Sequence, residues 1–502
     1  MSGRRRLVVI DNGMAGARLV EELVRRGATP HFDIVVFGEE PYGNYNRILL
    51  SGVLAGSHRI DDIVLNPLSW YRAHGIRLHA GVAANRIDRA RRIVHGAEGV
   101  DEPFDVLVIA TGSRPWVPPI EGLSDATGAL VDGAFVFRSL DDCTAMLERA
   151  SRATTAVVVG GGLLGLEAAR GLLTRGLHVT LVHLGAGLMD VQLDAPASLI
   201  LRRQFEAMGV CVRTGCATAA VHSADTIRGV RFADGSTTPC DLLVIAAGVR
   251  PNVDLARAAG LPVRAGIIVD DHLSCDAAHD IYALGECAEH RGKTFGLVAP
   301  LWDQATVLAD RLAATRPHAR YEGSLLTTKL KVAGLDVAVM GEKDALDGDE
   351  VIRYDEPSRD IYKKLIVRRD KLVGAILIGD GAVVPALAHI FTTGGALPAQ
   401  RAELLFPRLA DSPRQSVADL PDDAQICDCN GVSKAQIVDC ALRGAGSAQA
   451  VYEQTRAGTG CGSCRPEVQR LLELTRQQLD ANVGTFSDGG RDGAMAREGA
   501  AS

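Results

Sequence analysis

The chain has no cysteine before Cys143, although eleven are present in its 502 residues. Thiol chemistry is therefore excluded from the opening segment. Nor does any stretch approach the ~20 uninterrupted apolar residues that a membrane-spanning helix needs. The N-terminal arginines precede an apolar run of only Leu7 to Ile10 before Asp11 and Asn12 interrupt it. That run is too short for the apolar core of a secretion signal, and a cytoplasmic location is expected. Positive charge is also lacking. The net charge of −7 gives no support for nucleic-acid binding.

What is present is a duplication. Residues 7–27, LVVIDNGMAGARLVEELVRRG, align without a gap on residues 156–176, AVVVGGGLLGLEAARGLLTRG. Each reads as an apolar strand, a glycine turn and an amphipathic helix ending at glycine. Each is followed by a further strand, over 33–37 and 178–183, so both open a βαβ unit. FDVLVIATGSRP (104–115) and CDLLVIAAGVRP (240–251) form a second matching pair. The expected class is α/β, with two Rossmann-like dinucleotide-binding domains, a small α+β domain and a small helical cysteine domain. The expected divisions are a first dinucleotide domain over 1–144 that resumes at 256–319, and a second inserted at 145–255. The α+β domain covers 320–409, where TTKLKVAGLDVAVMG and KKLIVRRDKLVGAILIGD alternate like antiparallel strands, with a Gly-Leu-Asp and an Arg-Asp-Lys turn. A polar linker follows at 410–424, the cysteine module at 425–480 and a glycine-rich disordered tail at 481–502.

In the second glycine turn, Gly160, Gly162 and Gly165 satisfy G-x-G-x-x-G between strand and helix. The first permits the tight turn, the second lets a pyrophosphate approach the backbone, and the third lets helix and strand pack closely. The acid that normally ends the next strand and grips a ribose is absent. His183 stands near that place, which leaves NADH and NADPH both open, and leaves His183 either at the ligand or as a half-buried structural histidine.

The first turn departs from the rule. Asp11 stands where the first glycine belongs, ahead of Gly13 and Gly16. Asp tolerates positive φ, but its carboxylate would repel a pyrophosphate unless it points away. Glu39 and Glu40 follow the next strand as ribose-binding candidates, with Glu40 favoured by position. Gly285 and Glu286 end another strand, where a carboxylate suits ribityl hydroxyls or caps a helix.

Cys427 and Cys429, then Cys461 and Cys464, give C-x-C followed by C-x-x-C. Soft thiolates at this spacing suit a [2Fe–2S] cluster. Zinc is the rival, although its structural sites usually leave at least two residues between paired cysteines. Cys440 lies between the pairs and reads as packing.

The strings NGMAGARLVEEL, YNRILLSGVLAG, HLGAGLMDVQLD and ALGECAEHRGKTFGLVAPLWDQA resemble two-dinucleotide flavoprotein reductases. More narrowly, they resemble the flavin portion of the NAD(P)H nitrite reductase large subunit and the electron-transfer subunit of assimilatory nitrate reductase. The cysteine module resembles the bacterioferritin-associated ferredoxin-like [2Fe–2S] domain. The resemblance implies FAD, NAD(P)H and a [2Fe–2S] cluster as cofactors. It places Arg47 near the FAD pyrophosphate, Ala110, Thr111 and Gly112 along the flavin, and Leu297 to Pro300 beside the isoalloxazine. It also places Glu167 after the NAD turn, with Ala247 and Gly248 on the nicotinamide path. Each has a plainer reading: Arg47 as an ion-pair partner, Ala110 to Gly112 as a strand-ending turn, Glu167 as a first-turn carboxylate. Related disulfide reductases carry a redox cysteine soon after the first ribose acid, and this chain has none there. The sirohaem domain of the nitrite reductase large subunit brings four more cysteines, and the chain ends at residue 502 without them.

The resemblance therefore implies an enzyme that passes electrons from NAD(P)H through FAD and the cluster to a catalytic reductase subunit, without a side chain as essential acid or base. The favoured partner is the molybdenum subunit of nitrate reductase, then a separate sirohaem nitrite reductase. A rubredoxin or ferredoxin reductase, and a regulatory module with a decayed flavin site, are the alternatives. A homodimer is compatible with the α+β domain.

Overall fold

In the computed structural model of the chain, residues 4–332, 335–406 and 417–487 are described. They form two compact units, Met1–Gly381 and Ala382–Ser502.

The first unit is built on two mainly parallel sheets. In one, β1 (Arg5–Ile10) is followed by α1 (Met14–Arg25) and β2 (Phe32–Gly38). Leu7 to Ile10 are buried on both faces, as a parallel strand covered by helices requires. β1 pairs in parallel with β2 and with Val106–Ile109. Strands at Arg77–Ala80, Ile281–Ala283 and Ser274–Asp276 complete the six-stranded sheet, so the chain returns to it after a long excursion. The other sheet holds β3 (Thr155–Val159), followed by α2 (Leu163–Thr174) and β4 (His178–Val182). β3 lies between β4 and Leu242–Ile245. Ala134–Val136 also pairs in this sheet, so it draws on residues before the expected start at 145. The two halves are tied by an antiparallel ribbon, Ser113–Pro115 against Val249–Pro251.

Helix α3 (Val298–Leu312) packs on α1. Arg26 Nε donates to Asp310 Oδ1 at 2.7 Å and fixes their approach. A five-stranded antiparallel sheet follows, in the order Thr327–Val332, Leu335–Gly341, Lys371–Ile378, Ile361–Arg368 and Glu350–Glu356. Its expected Arg-Asp-Lys turn is tight, with Arg369 and Asp370 both at positive φ. The expected Gly-Leu-Asp turn falls partly outside the described residues, and Leu335 and Asp336 already belong to a strand.

In the second unit, the strands Gln425–Cys427 and Val432–Ser433 lead into α4 (Lys434–Leu442), α5 (Ala448–Thr455) and α6 (Arg465–Ser487). Ser433 and Gln436 close a capping box at the start of α4. Two expectations need correction. Val417 and Leu420 are buried, so the described end of the 410–424 stretch is packed rather than a free linker. Helix α6 continues to Ser487, into the stretch expected to be disordered from 481; residues 488–502 lie outside the described ones. No described helix is long and apolar enough to cross a membrane.

Candidate functional site

The two glycine turns have the same backbone construction. Asp11 N–H donates to Phe37 O at 2.9 Å, and Gly160 N–H donates to Val182 O at 2.8 Å. Both residues hold positive φ, 82° at Asp11 and 123° at Gly160. A Cβ at Gly16 would strike the Asp11 carbonyl, and one at Gly165 would strike the Gly160 carbonyl. Only glycine lets each helix lie this close to its strand.

The turns differ where a phosphate would lie. A Cβ on Gly162 would meet nothing within 4 Å, so the backbone is open to a ligand. A Cβ on Gly13 would lie 3.3 Å from Asp11 Oδ2. The Asp11 carboxylate is thus folded over the start of α1, the position that suits an anion. Asp11 is only half-buried by surface exposure. Even so, desolvation pushes its carboxyl up to about 6, with Arg47 pulling it down and Glu40 and Glu39 pushing it up.

Two cavities meet at Asp11 and Thr111. One, of about 180 Å³, is lined by Asp11, Gly13, Arg47, Ala110, Gly112 and Glu286 among others. The second, of about 200 Å³, is lined on one side by Phe37, Glu39 and Ala84. Glu39 and not Glu40 therefore faces this cavity. Glu40 is engaged by Arg47 and by Tyr45 Oη at 2.6 Å. Glu286 accepts from Ser113 Oγ and from Arg138. Gly285 holds positive φ, and its N–H donates to Gln304 Oε1 at 2.7 Å. Leu297 is the N-cap residue of α3 and Pro300 is buried in its first turn. The wall of the first cavity comes instead from their neighbours Gly296, Val298 and Leu301. These residues suit a flavin dinucleotide, with Asp11 as the single anionic misfit.

A third cavity, of about 610 Å³, opens over the second turn. It is lined by Gly160 to Gly162, His183, Asp190, Ala247 and Gly248 among others. Glu167 is half-buried on α2, outside this lining, and Gly165 packs beneath the turn. Arg138 lines both this cavity and the first. Nothing in the sequence marks Arg138; the pairing of Ala134–Val136 with Leu243–Ile245 delivers it there. Ser113 was equally unmarked, although it directly follows the Ala110–Gly112 turn.

In the second unit, the Cys427 and Cys429 thiols lie 3.6 Å apart. Cys464 lies against Cys427, and Cys461 against Cys429. Hydrogen bonds from Cys429 and Cys464 hold Cys427 well below the usual thiol range, toward the thiolate that binds metal. A Cβ on Gly460 would strike Cys429 Sγ, so glycine is required beside the thiols. Asn430 Nδ2 joins the two cysteine loops through Arg456 O at 2.6 Å. Among the described residues no three such side chains are arranged about a single metal ion. Four thiols converging from two loops suit a two-iron cluster, and the single residue between Cys427 and Cys429 is a shorter gap than structural zinc usually takes. Cys440 turns away, toward Gln454 Oε1 at 3.3 Å.

Three family models match successive stretches of the chain. Residues 5–311 match the pyridine nucleotide-disulphide oxidoreductase family, 327–391 the rubredoxin NAD+ reductase C-terminal domain and 425–473 the BFD-like [2Fe-2S] binding domain. The chain is 39% identical to a nitrite reductase [NAD(P)H] of Bacillus subtilis over 94% of its length, and 37% identical to that organism's assimilatory nitrate reductase electron transfer subunit over 93%. It spans 58% and 59% of the lengths of those two relatives. A ferredoxin reductase from Rhodopseudomonas palustris superposes with a TM-score of 0.70 at 26% identity, covering 78% of this chain and 96% of that one. The chain belongs to the pyridine nucleotide-disulphide oxidoreductase family and carries, after its two dinucleotide folds, a BFD-like [2Fe–2S] binding domain.

Proposed function

We propose that this chain is an NAD(P)H-dependent electron carrier that serves the molybdenum catalytic subunit of assimilatory nitrate reductase. One observation carries this reading: two cavities built on twin glycine turns share Arg138, in a chain that also gathers four thiols. FAD, when bound, supplies the exchange between a two-electron hydride donor and one-electron carriers.

The chain's own residues bind and orient. Glu39 accepts from the FAD ribose in place of Glu40, which holds Arg47 toward the pyrophosphate. Glu286, set by Arg138 and Ser113, faces the ribityl hydroxyls. Ala110 to Gly112 and the first turn of α3, with Leu297 and Pro300 as its frame, wall off the flavin ring. Gly160 and Gly162 cradle the second dinucleotide, Gly165 lets α2 pack closely beneath them, and Ala247 and Gly248 line its path toward Arg138. Cys427, Cys429, Cys461 and Cys464 hold the cluster. That no disulfide joins the described cysteines fits a reducing, cytoplasmic setting.

A separate sirohaem nitrite reductase is the second acceptor, favoured by the similarity to nitrite reductases. An anaerobic visible spectrum before and after addition of NADH or NADPH tests the core of the proposal. Flavin bands and broad iron–sulfur absorption, both bleached, are expected. Cluster absorption without flavin would count against it, and would make Asp11 the mark of a regulatory module. Transfer to the purified nitrate reductase subunit, compared with sirohaem nitrite reductase, rubredoxin and ferredoxin, then identifies the acceptor.

A further inference from the structure

The missing strand-end acid of the second dinucleotide site has a replacement delivered from elsewhere. His183 follows β4 directly. Its Nδ1 accepts the Gly161 N–H at 3.1 Å, inside the glycine turn itself. An accepting Nδ1 puts the neutral ring's proton on Nε2. That atom is buried and lies 3.2 Å from Asp190 Oδ1, close but without the alignment of a hydrogen bond.

The loop that carries Asp190 is shaped to bring it there. Met189 holds positive φ and its N–H donates to Gly161 O at 2.8 Å. A Cβ on Gly185 would collide with the Asp190 carboxylate, so glycine makes the room. Lys343 Nζ holds the Asp190 carbonyl at 2.7 Å. Farther along, Asp194 caps the next helix and is gripped by Tyr362 and Lys364. The Asp190 side chain remains 41% exposed, in the lining of the cavity over the glycine turn.

We infer that Asp190 is the specificity-determining residue of this site: set beside His183 by the loop that carries it, its carboxylate accepts the adenosine 2′-hydroxyl and excludes a 2′-phosphate, so the protein uses NADH. The inference rests on the proposed function, because it presupposes that a nicotinamide dinucleotide occupies this cavity. A carboxylate is acceptor-only and pairs with a ribose hydroxyl, whereas a phosphate beside it meets like charge. The adjoining cavity does contain Arg202 and Arg213, which would suit a 2′-phosphate. Each is already matched, Arg202 with Glu206 at 2.7 Å and Arg213 with Asp234 at 2.6 Å.

The test is calorimetric binding of NAD+ and NADP+ to the purified full chain, alongside dye-reduction kinetics with NADH and NADPH. The wild type is expected to favour NAD+ by roughly 100-fold. Asp190→Ala is expected to weaken NAD+ about tenfold, strengthen NADP+ and bring the two within a few-fold of each other. The change should fall on KM and leave kcat at saturation in place. Asp190→Asn, which keeps size and an acceptor oxygen, should give an intermediate ratio, and His183→Ala a smaller shift in the same direction. Unfolding midpoints close to wild type would show that the variants fold. A wild-type preference for NADP+, or an unchanged ratio in Asp190→Ala, would overturn the inference alone. Binding of neither dinucleotide by the wild type would overturn the proposed function, and this inference with it.

Discussion

Asp11 has two costs that can be separated. It holds positive φ, which glycine adopts freely, and its carboxyl is enclosed at a position meant for a phosphate. Desolvation raises that carboxyl from 3.8 to about 6. A raised pKa means that the folded state favours the protonated form. The associated stability is present in full below about pH 4 and is lost as the pH rises through 6. At neutral pH the charged carboxylate should destabilise the flavin-free protein by about 1–3 kcal/mol. Asp11→Gly and Asp11→Asn should recover that and raise the unfolding midpoint by a few degrees. The same charge opposes the FAD pyrophosphate. Wild-type FAD affinity should therefore be about tenfold higher at pH 5 than at pH 7.5, and this slope should vanish in Asp11→Asn. A pH-independent dissociation constant in the wild type would show that the carboxylate swings clear. The sequence showed that Asp11 breaks the motif, but not that the side chain folds over Gly13. The choice between Glu39 and Glu40 was similarly beyond it, because adjacent residues leaving a strand point in opposite directions.

At the scale of elements, the glycine turns were legible because strand, turn and helix impose spacing on consecutive residues. Strands such as Glu350–Glu356 were not, since this edge strand is largely exposed and carries no apolar run. Ala134–Val136 was hidden for another reason: three residues pair with a strand more than a hundred positions later. The third glycine of each turn gives a clean comparison. Gly16→Ala must push α1 off β1, because the new Cβ would strike the Asp11 carbonyl. Gly165→Ala does the same to α2 and β3. Each should cost about 1–3 kcal/mol of stability, but the functional losses should divide. Gly16→Ala should lower the flavin content of the purified protein. Gly165→Ala should retain flavin and lose affinity for the nicotinamide dinucleotide. Loss of flavin from both variants would mean that the two turns do not serve separate ligands.

Across the whole molecule, two compact units divide the chemistry. Both dinucleotide cavities lie in the first, and all four clustered thiols in the second. The sequence marked the thiol-bearing part because the thiols are so close together, at 427–429 and 461–464, although the units divide at Gly381, inside the α+β domain expected over 320–409. It could not reveal Arg138 at the meeting of two cavities, or Asp190 substituting for an acid missing from a strand end, since both depend on chain segments converging from a distance. The division predicts that the two parts can be uncoupled. Reductive titration of the wild type should consume about three electron equivalents per chain, two at the flavin and one at the cluster. Cys429→Ala removes a thiol packed between Cys427 and Cys461. It should lower the count to about two and leave NADH-dependent ferricyanide reduction within a factor of about two of wild type. Electron delivery to the catalytic partner should fall at least ~100-fold, because the flavin would have lost its one-electron outlet. A count of two in the wild type would identify the four thiols as a zinc site. Undiminished delivery by Cys429→Ala would mean that the partner takes its electrons directly from the flavin.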